Sequence, residues 1–585
     1  MASIAENLQS IFDSKIAVKT AVETKGVTDI GYGLSDYAKK VTQIGNRVSS
    51  KWHSVTFVDI DGTVLETKMI RHGESATPPT APEHEYLTFI KWIGNYTNVP
   101  RDCTVSPQYK SSDGKARYKI SVKAGFTFTF SSVSSSDTIN WGDGTEETGV
   151  ASHTYTSDFE GWITSSAATI RAQTKYIITN IIYPDSVTSI GTHAFSYCHA
   201  LQSIIIPDSV TSIESSAFAN CSSLQSIVIP DSVTKIDSST FSGCSSLQSI
   251  VIPDSVTSIK DSAFANCSYL QSIVIPDSVK SIESSAFANC SSLQSIVIPD
   301  SVTSIGTNAF SECKSLQSIV IPDSVTSIGS SAFFSCFSLQ SIIISDSVTS
   351  IGPGAFSSCF SLQSIVIPDS VTKIDSSTFS NCSSLQSIVI PDSVTSIESN
   401  AFSECKSLQS IVIPDSVKSI GTHAFANCSY LQSIIIPDSV TSIETYAFAN
   451  CSSLQSIVIP DSVTKIDSST FSGCSSLQSI IIPDSVTSIG TYAFANCSYL
   501  QSIIIPDSVT SIGTYAFLKC NTLGVVYCLA TTPPTLASNA FSGASNLVTI
   551  YVPDASVKTY KAATSWSSCA DKIFPISQYT DTATQ

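Results

Sequence analysis

The 585-residue sequence contains few charged residues. Asp, Glu, Lys and Arg make up 13% of the chain, about half of their share in an average soluble protein. The surface must therefore consist mainly of serine and threonine hydroxyl groups. The remaining charge is acidic, with a net value of −17 at pH 7. Because nucleic-acid binding needs a basic surface, this balance argues against a nucleic-acid partner and is typical of a solubilising surface.

Long apolar runs are also missing. No segment reaches the roughly 18 consecutive apolar residues that a membrane helix needs, so we expect no membrane insertion. Residues 1–14 contain no apolar core of the length found in secretory signal peptides. We therefore expect a protein that is made in the cytoplasm and not exported by the secretory route.

Motifs for catalysis and metal binding are absent from the sequence as well. It contains no H-E-x-x-H, G-x-S-x-G or glycine-rich phosphate-binding motif. The seven histidines are scattered along the chain, and no C-x-x-C pair indicates a zinc site. These absences predict a protein that is not an enzyme and that binds no cofactor or metal.

What fills most of the chain is one 23-residue unit, repeated about fifteen times. A clear copy, L-Q-S-I-V-I-P-D-S-V-T-K-I-D-S-S-T-F-S-G-C-S-S, runs from Leu224 to Ser246. Ile204 and Ile206 are expected to point inward from a short strand, since side chains alternate along a strand. The segment after them is expected to turn the chain, with Asp208 bonding the backbone of the turn.

The residue between the two inward isoleucines forms a row of β-branched residues that should point outward. The row consists of Ile205, Val228, Val251, Val274, Val297, Val320, Ile343, Val366, Val389, Val412, Ile435, Val458, Ile481 and Ile504. Two interpretations stay open. Such residues stabilise a parallel ladder, and an apolar stripe on a sheet can also be a contact surface for a partner.

The pattern I-P-D-S-V-T-S-I-G-x-x-A-F-x-x-C-x-x-L resembles the BspA-type leucine-rich repeat over residues 177–552. A period of about 20–29 residues with this spacing is typical of leucine-rich solenoids. The resemblance implies a solenoid of about 16 coils, closed by a cap and tail at 553–585 with a short helix near Trp566. It also implies surface binding, because members of this family are adhesins of gut and oral bacteria and occur in parasites and phages.

Fifteen of the eighteen cysteines follow the same period. Neighbouring coils are expected to lie about 4.8 Å apart, which is close enough for adjacent cysteines to form disulfides. Stacked identical positions, however, have parallel Cα–Cβ vectors, so a continuous row cannot pair without twisting the coils. Because cysteine also packs as a small apolar residue, we expect buried free thiols.

Residues 1–48 form a predicted helical segment ahead of the repeats. One helix should carry an apolar face and end at Lys25-Gly26, and a second should run from Leu34 to Ile44. Residues 6–44, which begin E-N-L-Q-S-I-F-D-S-K-I, resemble the start of tailed-phage fibre and appendage proteins. The resemblance implies docking to other virion proteins through residues 1–45. The candidate docking residues are Leu8, Ile11, Phe12 and Ile16.

Residues 53–110 predict a small β module that opens with a hairpin, in which Val55–Asp59 and Thr63–Thr67 are strands around a turn. The segments V-T-F-V-D-I-D-G-T-V-L, H-G-E-S-A-T-P-P and V-S-P-Q-Y resemble the Listeria–Bacteroides repeat module, a β-grasp-like spacer of surface proteins. Asp59 and Asp61 also resemble the nucleophile and general acid in the D-x-D-G-T motif of haloacid-dehalogenase phosphatases. That chemistry needs a doubly wound sheet, for which this range is too short.

Residues 112–172 predict a second β module, with alternating strands at Tyr118–Val122 and Phe126–Phe130. The later W-G-D-G-T and H-T-Y segments resemble the polycystic-kidney-disease-type β-sandwich, which is a spacer or adhesion module. Asp143 is expected to cap the turn through the backbone. Calcium binding at this residue is the alternative.

The fold class is thus mainly β with short helices: a leucine-rich-repeat solenoid behind two β modules and a helical segment. Specificity is expected where the copies differ, because aromatic rings on a hydroxyl-rich surface suit carbohydrate or protein recognition. Drift between near-identical repeats is the other interpretation. The candidate ligand-binding residues are Phe334, Phe337, Phe360, Tyr430, Tyr446, Tyr492, Tyr499 and Tyr515.

Together these features predict a non-enzymatic adhesion protein. The leading hypothesis is a phage virion appendage, either a tail fibre or a head fibre, that binds a bacterial surface glycan or protein. The alternative is a cellular BspA-type adhesin at the bacterial surface. An oligomeric assembly is compatible with either.

Overall fold

The computed structural model confirms the predicted fold class. The protein is mainly β with about 4% helix, and its repeats form a solenoid of about 17 turns of about 23 residues. The structure describes residues 52–60, 63–94, 96–97, 99, 102–130, 133–166 and 175–578. The predicted helical segment and its docking residues Leu8, Ile11, Phe12 and Ile16 lie outside these ranges. The chain divides into two compact units, residues 1–257 with 267–276 and residues 258–266 with 277–585.

The first unit begins with a four-stranded sheet. Its strands are β1 (Trp52–Val58), β2 (Val64–Arg71), β3 (Leu87–Ile93) and β4 (Cys103–Ser111). The order is β2-β1-β4-β3, with β1 antiparallel to β2 and parallel to β4, which confirms the predicted hairpin. Val55, Phe57 and Val105 are fully buried at its centre. The identity of residues 53–110 as a Listeria–Bacteroides module stays a prediction.

Six further strands follow in the first unit. They are β5 (Ala116–Val122), β6 (Thr127–Thr129), β7 (Thr138–Asn140), β8 (Glu146–Thr148), β9 (Ser152–Thr154) and β10 (Phe159–Ser165). β6 pairs with β9, and β10 lies between β5 and β7. Trp141 is fully buried, and its ring centroid lies 5.8 Å from that of Phe130. Both predicted strands are present, and the sandwich family of this range stays a prediction.

The second module and the first coil share one sheet. β5 pairs antiparallel with β10 on one side and with β11 (Ile178–Ile182) on the other. β11 in turn pairs parallel with Ser203–Ile205, the strand of the next coil. β5 of the second module and β11 of the first coil are therefore neighbouring strands of one hydrogen-bonded sheet. β5 satisfies the edge of the first coil, which would otherwise expose unpaired backbone groups.

Each coil of the solenoid contributes up to two short strands, which pair in parallel with those of neighbouring coils. A 3₁₀ turn at Lys175–Ile177 precedes the first coil. We call the row formed by the first strand of each coil the first-strand row, and the row formed by the second strand the second-strand row. In the first unit, the first-strand row continues at Ser249–Val251 and Ser272–Val274. The second-strand row of this unit has Ser189–Ile190 and Ser212–Ile213. In the second unit, the first-strand row has Ser318–Ile321, Ser341–Ile344, Ser364–Val366, Ser387–Val389, Ser410–Val412, Ser433–Ile435, Ser456–Val458, Ser479–Ile481, Ser502–Ile505, Val525–Cys528 and Thr549–Val552. Its second-strand row has Ser304–Ile305, Ser327–Ile328, Ser350–Ile351, Lys373–Ile374, Ser396–Ile397, Ser419–Ile420, Ser442–Ile443, Lys465–Ile466, Ser488–Ile489, Ser511–Ile512 and Thr535–Leu536.

The interior of the coils is a ladder of identical residues. The ring of Phe425 stacks between those of Phe402 and Phe448, with centroids 5.3 and 5.4 Å away. The thiol of Cys428 is fully buried and donates to the carbonyl oxygen of Phe402 over 3.1 Å. All eighteen cysteines are free, as predicted. Burial raises the pKa of Cys382 and Cys428 to about 12, so these thiols stay protonated at neutral pH.

In most coils, a serine of the proline turn bonds the preceding coil, whereas the aspartate before it was expected to bond the backbone of the turn. Asp438 is exposed, whereas the hydroxyl of Ser439 donates to the carbonyl of Val417 in the preceding coil over 2.7 Å. The turn itself is closed by the N–H of Val440, which donates to the carbonyl of Pro437 over 3.0 Å. The bond between coils explains the serine of the P-D-S segment.

The solenoid ends in a cap that contains the predicted helix. Its elements are a 3₁₀ turn at Asp554–Ser556, helix α1 (Val557–Ala562), a 3₁₀ helix at Trp566–Lys572, a strand at Ile573–Pro575 and a 3₁₀ turn at Ile576–Gln578. Trp566 is fully buried, and its ring lies 6.4 Å from that of Phe541. Its Nε1 donates to the carbonyl of Pro534 over 2.8 Å. The cap therefore covers the last ring of the phenylalanine ladder.

The buried thiols predict a sharply divided alkylation pattern. At pH 8, iodoacetamide should modify Cys103 and Cys569 in the folded protein, since these two are partly exposed. The remaining thiols should react only after unfolding, because they are buried, and burial raises the pKa of thiols such as Cys382 and Cys428, which removes the reactive thiolate. Mass spectrometry before and after denaturation measures this. Comparable labelling of any cysteine in the repeat row of the folded chain would contradict it.

The ring ladder predicts a large local cost for removing one ring. Phe425→Ala should lower the free energy of unfolding by about 3–5 kcal/mol, because it opens a cavity between two stacked neighbours. Val412→Thr, on the exposed row, is the matched control and should change it by no more than about 0.5 kcal/mol. Urea denaturation and hydrogen exchange of the adjacent coils provide the measurement. Similar effects of the two substitutions would show that the ladder is not the stabilising feature.

Candidate functional site

Each coil passes through two residues in the left-handed backbone region between its second strand and its cysteine. In the coil of Phe448 these are Tyr446 and Asn450, each with φ of 60°. Their N–H groups donate to the carbonyls of Ser468 and Ser472 in the next coil, over 3.1 and 2.7 Å. The unusual conformation thus directs two backbone donors along the stacking direction.

These residues define three parallel rows. The first ridge contains the residue two positions before each phenylalanine, such as Tyr446. The second ridge contains the residue before each cysteine, such as Asn450. Between them, the floor row contains the residue after each phenylalanine, such as Ala449, which is 5% exposed. Together with the two residues after each cysteine, the rows form what we call the turn face.

Four aromatic side chains occupy the first ridge of the second unit. They are His423, Tyr446, Tyr492 and Tyr515, with φ values of 57°, 60°, 56° and 56°. His423 and Tyr446 stack with centroids 4.6 Å apart, and Tyr492 and Tyr515 with centroids 5.2 Å apart. Serine and asparagine fill this position in most other coils. Since tyrosine, unlike asparagine and histidine, rarely adopts positive φ, the backbone alone does not favour the three tyrosines here.

A further aromatic pair follows the cysteines. The rings of Phe337 and Phe360 stack with centroids 4.8 Å apart and planes at 13°. Lys314 Nζ lies 5.6 Å from the Phe337 centroid, a distance at which a cation is attracted to a ring. The same ammonium group pairs with Glu312 over 3.1 Å, so the local charge is balanced.

All eight candidate ligand-binding residues lie on the turn face, but they do not form one cluster. The structure pairs Phe337 with Phe360 and Tyr492 with Tyr515. Tyr446 pairs instead with His423, which the prediction omitted although it has the same place in the repeat. Tyr430 and Tyr499 are 62% and 61% exposed after their cysteines, and Phe334 lies in the floor row. Tyr269 of the first unit, also omitted, matches Tyr430 in position and exposure.

The outward row of valine and isoleucine follows the predicted alternation. Val412 is 71% exposed, whereas Ile411 and Ile413 on either side are 4% exposed. Ile435 in the next coil is 74% exposed. The row is therefore a regular apolar stripe on the first-strand face, separate in the repeat from the turn face.

The alternative site at Asp59 has a structural explanation. Its carboxylate accepts the N–H of Ile60 over 2.7 Å and bonds His84 Nε2 over 2.9 Å. The surrounding sheet, β2-β1-β4-β3, has antiparallel outer pairs and is not the doubly wound parallel sheet that a haloacid-dehalogenase phosphatase needs. Asp61 lies outside the described residues. Asp59 thus stabilises the end of β1.

Asp143 caps the W-G-D-G-T turn as predicted. One carboxylate oxygen accepts the N–H of Thr145 over 3.1 Å, and the other bonds His153 Nε2 over 2.7 Å. Burial opposes ionisation, but the hydrogen bonds from Thr145 and His153 outweigh it and lower the pKa of Asp143. Both oxygens therefore have partners within the protein.

Two further properties of the described residues concern membrane spans and metal sites. No helix among them is long and apolar enough to cross a membrane. Nor do they contain a group of three or more His, Cys, Asp or Glu side chains that could hold a metal ion.

Stacked coils with an inward Leu, Ile, Cys and Phe core define the class of leucine-rich repeat proteins. The family described as "BspA type Leucine rich repeat region (6 copies)" matches residues 172–294, 280–409, 395–524 and 442–570. The chain belongs to this family. Its members are typically binding proteins, and the match indicates no catalytic domain.

The chain is also similar to solved structures of leucine-rich repeat proteins. A leucine-rich repeat protein from Bacteroides ovatus is 28% identical with a TM-score of 0.51, and the match covers 70% of this chain and 96% of that protein. A leucine rich cell surface protein from Faecalibacterium prausnitzii is 31% identical with a TM-score of 0.31, over 67% of this chain and 87% of that protein. No curated protein matches the chain.

The ridge tyrosines predict an unusual stability effect. Tyr446→Asn and Tyr492→Asn should leave the free energy of unfolding unchanged or raise it by about 1 kcal/mol, because asparagine adopts the left-handed region more readily. Urea denaturation of each variant beside the parent chain measures this. A clear loss of stability would show that the tyrosines serve the scaffold and not a ligand.

Proposed function

We propose that this protein is a non-enzymatic adhesin that presents its turn face to a component of a bacterial surface, either a glycan or a protein. The observation that carries the proposal is the stacking of aromatic rings along the first ridge, where the backbone disfavours the tyrosines. His423–Tyr446 and Tyr492–Tyr515 stack on neighbouring coils at positive φ. Residues that conflict with local conformational preference are concentrated at functional sites.

The physical character of the turn face supports recognition by shape and stacking. Stacking limits the motion of the rings before binding, so less conformational entropy is lost when they bury area against a ligand. Charges near the Phe337 pair are balanced by the contact between Glu312 and Lys314. The hydroxyl-rich surroundings add many weak hydrogen-bonding groups. Such a surface suits a large, repetitive receptor.

We propose that the protein is a component of a phage virion. This step rests on the resemblance of residues 6–44 to tailed-phage fibre and appendage proteins, with docking to other virion proteins through residues 1–45. Leu8, Ile11, Phe12 and Ile16 would form the apolar docking face. The second candidate is a cellular adhesin at the bacterial surface. Membership of the BspA-type family is as consistent with a cellular adhesin as with a virion protein.

The adhesin proposal predicts loss of cell binding when the paired rings are removed. Fluorescently labelled chain should bind cells of a susceptible gut bacterium. The combined variant Phe337→Ser, Phe360→Ser, Tyr492→Asn and Tyr515→Asn should bind at least about tenfold more weakly. Flow cytometry across a panel of strains gives the measurement. Val412→Thr with Val458→Thr, on the outward row, is the control and should bind normally.

Unchanged binding by the aromatic variant would reject the Phe337–Phe360 and Tyr492–Tyr515 pairs as the receptor site. If the outward-row control loses binding instead, the stripe of valine and isoleucine is the contact surface. Deleting residues 1–45 distinguishes a virion protein from a cellular adhesin. A virion protein should then bind cells but fail to join particles in electron micrographs, whereas a cellular adhesin should keep its surface location.

A further inference from the structure

One stretch of the turn face in the second unit forms a cavity of about 440 Å³. Its lining combines ridge and floor residues of three consecutive coils: Ser285, Ala288, Asn289, Asn308, Ser311, Glu312, Ser331 and Phe334. The floor is small and buried, since Ala288 and Ser311 are each 8% exposed. In the next coil the floor residue is Phe334, whose ring forms a wall at one end. The volume lies within the range of small-molecule sites.

The polar groups of this groove are available to a ligand. The side-chain amides of Asn289 and Asn308 form no hydrogen bond within the described part of the chain. Farther along the chain, the side-chain amides of the second ridge bond side chains of the preceding coil. There Asn450 donates to Asn427 over 2.9 Å, and Asn427 donates to Glu404 over 2.9 Å. The groove therefore has amide donors and acceptors that the scaffold itself does not use.

Four coils later, the chain repeats most of the groove, but Ser380, His423 and Ala426 stand where the groove has Ala288, Ser331 and Phe334. Asn400, Ser403, Glu404 and Lys406 stand where the groove has Asn308, Ser311, Glu312 and Lys314. Each glutamate pairs with its lysine over 3.1 Å. The next floor residue, however, is Ala426 instead of Phe334, and Asn427 bonds Glu404 where the groove has Ser335. Phe334 is thus one of the residues that distinguish the two sites, and the residues that correspond to Asn308, Ser311 and Glu312 are the same in both.

We propose that the groove ending at Phe334 binds a neutral saccharide unit, and this inference rests on the proposed adhesin function. Amide and hydroxyl groups can bond sugar hydroxyls in both directions, and an aromatic ring can pack against the apolar C–H face of a sugar. The pairing of Glu312 with Lys314 leaves no net charge to attract an ionic ligand. The groove is shallow and open, as suits one unit of a longer surface glycan.

The test uses the full chain and an array of immobilised neutral hexoses, N-acetylhexosamines and uronic-acid saccharides. The parent protein should be captured by neutral sugars. Phe334→Ala reproduces the floor residue of the sibling site, and Asn308→Ser introduces a residue that neighbouring ridge positions already tolerate. Each should weaken capture about tenfold. Asn400→Ser, the matched change in the sibling site, should leave capture unchanged. Thermal unfolding of each variant confirms that it is folded.

Several outcomes would overturn the proposal. Equal capture of all four proteins would exclude this groove as the site. Capture by uronic acids alone would exclude a neutral ligand. Cells treated with periodate, which cleaves sugar diols, should lose binding, whereas protease-treated cells should keep it. The reverse result would reject the saccharide while leaving the adhesin proposal intact. Failure of the parent chain to bind any cell would instead reject the proposed function itself.

Discussion

Stacking of each coil on a near-copy of itself is the constraint on which the rest of the solenoid depends. A coil cannot bury its own apolar face, so its neighbours must complete it. Phe425 is packed by Phe402 and Phe448, and Cys428 bonds the carbonyl of Phe402. A substitution in these rows must fit the coils on both sides. This explains why phenylalanine, cysteine and inward isoleucine hardly vary.

The same constraint leaves the first and the last coil with one face that no further coil covers. The two ends of the solenoid cover this face with different elements. In the first unit, strand β5 adds an antiparallel partner to the first coil, and Tyr118 contacts Tyr183 at a centroid distance of 6.4 Å. In the second unit, Trp566 covers Phe541 and Tyr560 donates to the carbonyl of Ala530 over 2.8 Å. Both β5 and the C-terminal cap cover aromatic rings and provide hydrogen-bond partners for backbone groups that have no neighbouring coil.

Stacking also decides where variation is permitted. The ridges need left-handed residues, because only that conformation aims their N–H groups at the next coil. Serine and asparagine meet this need at little cost, so a tyrosine there requires another reason. The side chains of the ridges project from the scaffold and can change without disturbing the core. The turn face therefore combines a rigid backbone with variable side chains, as a recognition surface requires.

Much of this architecture was predictable because it depends on local repetition. The 23-residue period indicated the solenoid, the alternation around Val412 indicated which residues face outward, and the regular cysteine spacing indicated free thiols. The turn aspartate was expected to bond the backbone of the turn, but Asp438 is exposed. The bond across coils made by Ser439 was not predicted, because it depends on the geometry of the neighbouring coil.

The sequence by itself determined the period, the inward and outward rows and the aromatic positions, because each is a property of residues close together in the chain. The tertiary structure decided which of those positions meet. The pairing of His423 with Tyr446, the wall that Phe334 places beside Asn308, and the closure of the first coil by β5 join residues from different coils or modules. The period places His423 and Tyr446 on neighbouring coils, but whether their rings pack, and which residues of other modules the coils meet, depends on the geometry of stacking.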